Sequence, residues 1–224
     1  MEAKKTVTKT DVLFYYANIM DYCRVIISMY SFYISKQNPL LFVICYFISF
    51  ILDAFDGMVA RAYKQTSKLG ATLDMVTDRI STAGLLAILS GFYEKYSTIF
   101  VYLIMLDVGS HWLQTHSGFF ENVKNDNHKA LKETFFLLDL YYHNRKVLGI
   151  VCLGAELFLL QLYFNHFYPE LMENIIYLGL FYANFVIYVF KQIVSVNQIF
   201  GASDRIANLD AKEATEKLNE KKTG

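Results

Sequence analysis

Four aspartates in an otherwise apolar stretch of the chain are the residues best suited to chemistry. Asp53 and Asp56 are three residues apart, and Asp74 and Asp78 are four residues apart, so each pair lies on one face of a helix. The short polar linker between the pairs predicts two antiparallel helices whose four carboxylates converge in one cavity. Carboxylate oxygens bind hard cations, and two Mg²⁺ or Mn²⁺ ions bridged by them would form a clamp suited to phosphoryl transfer.

The cost of charge in an apolar environment supports this interpretation. A carboxylate near the centre of a bilayer costs roughly 2.5–3.5 kcal/mol, and Arg61 and Arg79 can neutralise two of the four at most. Protonation or divalent metal would balance the remainder. Gly57 and Gly70 lie on the same helix faces and leave room for a substrate beside the backbone. The alternative is a structural role, in which Asp–Arg pairs and small residues only pack helices together.

The elements that must position these aspartates are predicted to be membrane-spanning helices. The chain of 224 residues is 54% hydrophobic and 17% aromatic, and its apolar residues occur in long runs. Such a composition favours lipid as the solvent and predicts an all-α membrane protein with six transmembrane helices. The predicted spans are residues 14–35, 39–63, 69–92, 97–116, 147–167 and 170–192.

The distribution of lysine and arginine predicts the orientation of these spans. With the N-terminus in the cytosol, the non-cytosolic loops contain only Lys36 and Lys95, and most other basic residues are cytosolic. We therefore expect both termini in the cytosol and a polar connection over residues 117–146 outside the bilayer. The expected organisation is an N-terminal segment at 1–13 with a possible short interfacial helix, a six-helix catalytic domain at 14–200 and a charged cytosolic tail at 201–224.

Composition also argues against other classes of protein. The formal net charge is zero, so no nucleic-acid partner is expected. Cys23, Cys45 and Cys152 all fall in apolar segments, which is typical of buried thiols rather than of a disulfide scaffold or a zinc site.

The charged stretch resembles the signature of a known enzyme family. The chain has Asp53-x-x-Asp56-Gly57-x-x-Ala60-Arg61 and, after eight intervening residues, Gly70-x-x-x-Asp74-x-x-x-Asp78. In this pattern it is similar to the CDP-alcohol phosphotransferases. The resemblance implies a six-helix membrane enzyme, usually a homodimer, in which an acceptor hydroxyl attacks the phosphate of a CDP-linked substrate and CMP is released.

The resemblance also implies roles for individual residues. Asp78 matches the general base, which also contacts metal. The positions that match metal ligands are Asp53, Asp56, Asp74 and Asp78. The positions that match the binding site for CDP-diacylglycerol are Gly57, Ala60, Arg61, Ser67 and Gly70.

Further stretches, among them "LDVGSHWLQTHS" and "GAELF", resemble the members of the family that use myo-inositol. The resemblance then implies synthesis of phosphatidylinositol from CDP-diacylglycerol and myo-inositol, in the endoplasmic reticulum membrane with the active site facing the cytosol. A polyol needs a pocket rich in hydrogen-bonding groups. The candidates for this acceptor pocket are Asn18, Arg24, Asp107, Ser110, His111 and Glu156.

Several alternatives stay open from the sequence. The acceptor could be glycerol 3-phosphate, serine or choline, since the signature is common to the family. A cation transporter could also use intramembrane aspartates. Asp107, Ser110 and His111 equally suit a polar contact between helices, and Arg24 could pair with Asp21 one turn away.

Overall fold

The computed structural model describes residues 6–124 and 144–223, and every regular element in those ranges is helical. Two 3₁₀ turns, Glu94–Tyr96 and Pro169–Glu173, precede the fifth and seventh α-helices. The α-helices are α1 (Lys9–Leu13), α2 (Tyr16–Ile34), α3 (Pro39–Ala62), α4 (Lys68–Phe92), α5 (Ser97–Lys124), α6 (Arg145–Phe167) and α7 (Ile175–Thr223). The all-helical prediction is therefore confirmed over the described chain.

Six of these helices overlap the six predicted spans, although α7 begins at Ile175 rather than at residue 170 and continues past residue 192 to Thr223. Three segments, Pro39–Ala62, Lys146–Phe167 and Ile175–Lys221, are long and apolar enough to cross a membrane. The helices α2, α4 and α5 contain more polar side chains, so the six-span arrangement and the location of both termini stay predictions. Helix α5 continues to Lys124, and residues 125–143 of the predicted polar connection lie outside the described residues.

Many large apolar side chains lie on the surface of the chain, while several charged side chains are buried. Large apolar side chains such as Ile26, Tyr33 and Met105 are exposed, while Asp21 and Arg24 are buried at 2% relative exposure. Exposed apolar surface on this scale requires a partner or lipid to cover it, and buried polar side chains fit the interior of a helix bundle in a membrane. We therefore describe the chain as a membrane protein.

The chain divides into two compact units. The first comprises Met1–Phe100 and Tyr163–Pro169. In it α2 packs against both α3 and α4. The Phe42 and Tyr163 rings are fully buried with centroids 4.1 Å apart, and the Tyr163 hydroxyl donates to the Ser35 carbonyl oxygen. The C-terminal end of α6 thus anchors one end of the α2–α3 pair.

Side-chain caps fix the start of the two helices that carry the aspartates. Asn38 accepts a hydrogen bond from the Leu41 amide at 3.1 Å, and Pro39 occupies the first turn of α3. The Ser67 hydroxyl accepts a hydrogen bond from the Gly70 amide at 2.9 Å at the start of α4. These caps set the register of α3 and α4 and therefore the direction in which their aspartates point.

The N-terminal segment also forms a helix. In α1, Thr8 and Asp11 form a reciprocal capping box. The predicted short helix is present, while its location at a membrane interface stays a prediction.

The second unit comprises Val101–Leu162 and Glu170–Gly224. A polar seam joins α5 and α7. Lys191 donates to Asp107 Oδ1 at 2.9 Å, and Arg205 donates to Ser117 Oγ at 3.0 Å. Helix α7 continues without a break past Phe200, so the predicted tail is helical through Thr223.

Candidate active site

The carboxylates of three helices meet in the first unit. Asp21 on α2, Asp56 on α3 and Asp74 on α4 each offer an oxygen within 4.8 Å of the others. Asp53, Asp74 and Asp78 form a second group by the same measure. Asp74 belongs to both groups, so the five carboxylates form one cluster with two adjacent centres.

One arginine lies in the middle of this aspartate cluster. Arg24 Nη1 is 3.0 Å from Asp21 Oδ1, 3.1 Å from Asp56 Oδ2 and 3.4 Å from Asp74 Oδ1. Its Nη2 is 2.6 Å from Asp78 Oδ1 and 2.5 Å from Asp53 Oδ1. Arg79 contacts the other oxygen of Asp78 at 3.3 Å. Arg24 therefore supplies most of the positive charge that the sequence led us to expect from Arg61 and Arg79.

The donor set fits divalent cations. Five carboxylates face two guanidinium groups, so the cluster has an excess of negative charge when its carboxylates are ionised. Asp53 Oδ1 is buried and accepts no aligned hydrogen bond from the residues that the structure describes. All the ligand atoms are hard oxygens, which Mg²⁺ and Mn²⁺ prefer. The two overlapping groups are therefore suited in composition to divalent cations.

A cavity of about 200 Å³ opens beside the aspartate cluster. Asp21, Asp56 and Asp74 form part of its wall. The other residues that line it are Ala17, Asn18, Gly57, Ala60, Arg61, Gln65, Thr66, Ser67, Gly70 and Ala71. All five residues predicted to bind CDP-diacylglycerol thus surround one cavity, although their role as ligands stays a prediction.

The two predicted glycines keep this cavity open. A Cβ atom on Gly70 would lie 2.9 Å from Asn18 Oδ1 and 3.2 Å from Ser67 Oγ. A Cβ atom on Gly57 would lie 3.3 Å from Arg61 Nη1. A side chain at either position would therefore push against polar groups of the cavity wall rather than against apolar core.

The linker between α3 and α4 is also held in place. Lys64 adopts a left-handed backbone conformation with φ of 55°, and the Gln65 amide donates to the Ala60 carbonyl oxygen at 2.8 Å. The Gln65 side chain accepts from the Tyr16 amide at 3.0 Å, which ties the linker to the start of α2. Gln65 is also one of the residues that line the cavity.

The residues predicted for the acceptor pocket separate into two sets. Asn18 and Arg24 belong to the first unit, where the Asn18 amide donates to the Val12 carbonyl oxygen at 2.7 Å and Arg24 enters the aspartate cluster. Asp107, Ser110 and His111 belong to the second unit. Asp107 is paired with Lys191 there, which is the polar contact between helices that the sequence left open.

The remaining acceptor candidates have local partners. Ser110 Oγ donates to the Asp107 carbonyl oxygen at 3.1 Å, and His111 Nδ1 lies 2.8 Å from the same oxygen. Glu156 is half-buried on α6 in the second unit. Binding of the acceptor by these side chains stays a prediction.

Two charged residues were missed in the sequence. The sequence suggests Asp21 only as a partner of Arg24, yet its buried carboxylate completes one of the two carboxylate groups. Lys191 was not considered, although a lysine in the middle of an apolar run is a signal of a buried partner. For Asp21, the signal in the sequence is its spacing from Arg24, which places both residues on one face of α2.

The family is established by comparison with known proteins. The model of the CDP-alcohol phosphatidyltransferase family matches residues 14–162. This range includes every aspartate of the cluster and all the residues predicted to bind CDP-diacylglycerol. The chain belongs to the CDP-alcohol phosphatidyltransferase family.

Curated relatives cover nearly the whole chain. The CDP-diacylglycerol–inositol 3-phosphatidyltransferase of Saccharomyces cerevisiae is 40% identical over 94% of this chain and 94% of its own length. The protein of the same name from Candida albicans is 37% identical over 94% of this chain and 89% of its own length. The one from Homo sapiens is 34% identical over 92% of this chain and 98% of its own length. No solved structure matches the chain.

Proposed function

We propose that the protein transfers the phosphatidyl group of CDP-diacylglycerol to myo-inositol, giving phosphatidylinositol and CMP. The observation that carries this proposal is the pair of carboxylate groups sharing Asp74 beside a cavity lined by the signature residues. Relatives along almost the full chain are named for the same transfer. We further propose a homodimer in the endoplasmic reticulum membrane, with six spans, cytosolic termini and the cavity facing the cytosol.

The aspartates are the proposed ligands of two Mg²⁺ or Mn²⁺ ions. Asp53, Asp56, Asp74 and Asp78 would hold them, with Asp21 added by the structure. When bound, the ions would neutralise the pyrophosphate and stabilise the charge that develops on the CMP leaving group. A lipid substrate explains why this chemistry is placed between apolar helices.

The chain's own residues would then bind the substrate and move one proton. Arg61 and the Ser67–Gly70 turn line the cavity where the CDP group would bind. The inositol hydroxyl attacks the phosphorus of the diacylglycerol phosphate, and the bond from that phosphorus to CMP breaks with its electron pair leaving on CMP. Asp78 accepts the hydroxyl proton, a role that its place in the aspartate cluster and its partly exposed side chain support.

The experiment is release of CMP by the purified protein in detergent. CDP-diacylglycerol and Mn²⁺ or Mg²⁺ are supplied, and myo-inositol, serine and glycerol 3-phosphate are offered separately. Release that depends on inositol is the expected result, and Asp78→Asn should remove it. Asp210→Asn, on the exposed surface of α7, is the matched control.

The other outcomes separate the parts of the proposal. Release with a different acceptor would keep the transfer chemistry and overturn inositol as the substrate. Folded protein that binds metal but releases no CMP with any acceptor would favour the cation-transport alternative. Full activity of Asp78→Asn would contradict the role of Asp78 as the base.

A further inference from the structure

We infer that Arg24 is a built-in counterion of the aspartate cluster, which holds the cluster together without metal and competes with divalent cations for the same carboxylates. This inference rests on the metal site in the proposed function and adds a role for a residue on α2. It concerns the affinity of the site for metal rather than the transfer reaction.

The first observation is that Arg24 is shared among more carboxylates than it can satisfy. Nη1 has two protons and lies within 3.4 Å of oxygens from Asp21, Asp56 and Asp74. Nη2 donates a hydrogen bond to Asp78 Oδ1 at 2.6 Å. Asp53 Oδ1 lies 2.5 Å from the same nitrogen but accepts no aligned hydrogen bond from it. Among the residues that the structure describes, each of these five contacts joins one guanidinium nitrogen to one carboxylate oxygen, rather than the two parallel bonds of a bidentate pair.

The second observation is that Arg24 is buried inside the cluster. Its side chain is 3% exposed, and its Nε is buried without a hydrogen-bond partner in the described chain. A buried guanidinium is stable only with carboxylates around it, and buried carboxylates need a cation in turn. Arg24 therefore ties α2 to α3 and α4 through charge, at the point where the two ligand groups meet.

The position of Arg24 among the carboxylates affects how tightly the cluster can bind metal. A cation that binds these carboxylates enters a site that already contains the positive charge of Arg24, and the two like charges repel each other at short range. The contacts of Arg24 to the carboxylates must loosen as the cation binds. Arg24 thus lowers the affinity for metal while it stabilises the metal-free protein.

The experiment measures Mn²⁺ binding and thermal unfolding in detergent, without any substrate. Free Mn²⁺ is determined by electron paramagnetic resonance in titrations of wild type, Arg24→Met and Arg24→Lys. We expect Arg24→Met to lower the Kd for Mn²⁺ by roughly tenfold or more. Its melting temperature without metal should fall, and Mn²⁺ should restore it by a larger increment than in wild type.

Arg24→Lys provides a second test if Arg24→Met does not fold. An ammonium keeps the charge but cannot span several carboxylates, so its Kd should lie between those of wild type and Arg24→Met. If only the lysine variant folds, an Mn²⁺ affinity above that of wild type supports the inference. Arg79→Met is the graded control, because Arg79 contacts the cluster through Asp78 and should shift the Kd less.

An unchanged or weaker Mn²⁺ affinity in a folded Arg24 variant overturns the inference, because Arg24 would then only position the ligands. Failure of the proposed function gives a different result. In that case wild type itself binds no Mn²⁺, or binds it without releasing CMP.

Discussion

The two units of the chain differ in how many carboxylates contact each buried cation. In the first unit one buried guanidinium contacts five carboxylates. In the second unit the Lys191 ammonium and the Asp107 carboxylate, 5% and 2% exposed, form a pair at 2.9 Å. The aspartate cluster therefore has an excess of negative charge, whereas the Lys191–Asp107 pair has one cation for one close carboxylate.

The difference shows how a ligand site is distinguished from a structural ion pair. A buried pair in which each charge has one close opposite charge can be complete as it stands. A buried cluster with several carboxylates per cation is stable only with further positive charge or protons, so it is a candidate for binding. The same comparison holds for exposure: Asp74 and Asp78 are 46% and 31% exposed, whereas both partners of the pair in the second unit are closed to solvent.

The largest effect should come from the residue that both ligand groups share. Asp74→Asn keeps the size of the side chain but removes a charge from each group, so CMP release should fall by about a thousandfold. Release is measured with CDP-diacylglycerol, myo-inositol and Mn²⁺. Asp210→Asn should change it by less than about twofold, since surface substitutions are usually mild.

If Asp74→Asn lowered CMP release no more than Asp210→Asn does, the contrast between the aspartate cluster and the Lys191–Asp107 pair would be wrong. The aspartate cluster would then be a second structural contact.

A smaller effect, on stability, is expected from the ion pair in the second unit. Lys191→Met leaves the Asp107 carboxylate buried beside a methyl group, so the free energy of unfolding should fall by about 3–5 kcal/mol. Denaturant unfolding in detergent micelles measures it. The double variant Lys191→Met/Asp107→Leu should recover much of the loss, because no buried charge is left uncompensated.

Mn²⁺ affinity distinguishes this pair from the aspartate cluster. The Kd of Lys191→Met should equal that of wild type. A clear shift would show that the pair takes part in metal binding and is not purely structural.

The smallest effects are expected at two glycines, one in each unit. Gly70→Ala places a methyl group against Asn18, which is itself held by Val12, and should raise the KM for CDP-diacylglycerol roughly fivefold. Gly154→Ala meets Ile187 at 2.8 Å and should lower stability by about 1–3 kcal/mol. Initial-rate kinetics and denaturant unfolding measure the two results.

A third glycine, Gly91, provides the control for these two substitutions. Gly91→Ala on α4 meets no atom within 4 Å, so it should leave the KM unchanged and should not lower stability. If Gly154→Ala raised the KM and Gly70→Ala did not, the assignment of the substrate cavity to the first unit would be wrong.

Much of the architecture could be predicted from local patterns. The apolar runs predict six long helices, which the described chain contains, and Pro39 marks the start of α3 as expected. The spacing of Asp53 and Asp56 and of Asp74 and Asp78 predicts that they share helix faces, and the structure brings these faces together. The ligand roles of these residues, the six spans and the orientation remain predictions.

The sequence was less informative about polar residues within apolar helices. Asp107 suited either an acceptor pocket or a contact between helices, and the structure shows its contact with Lys191. Both partners carry a periodic signal on their own helix, but the signal does not specify which helix lies opposite. For that reason the acceptor-pocket prediction grouped residues that belong to two different units.

The sequence by itself determined the helices, the shared faces of the four signature aspartates and the family to which the chain belongs. These follow from interactions between residues three or four positions apart and from a motif confined to one short stretch. Tertiary structure alone decided that Arg24 and Asp21 complete the cluster. Arg24 is separated from Asp56 by 32 positions and from Asp74 by 50, so the contacts depend on how α2 packs against α3 and α4. Helical periodicity fixes which face of α2 carries these charges, but only packing decides what that face meets.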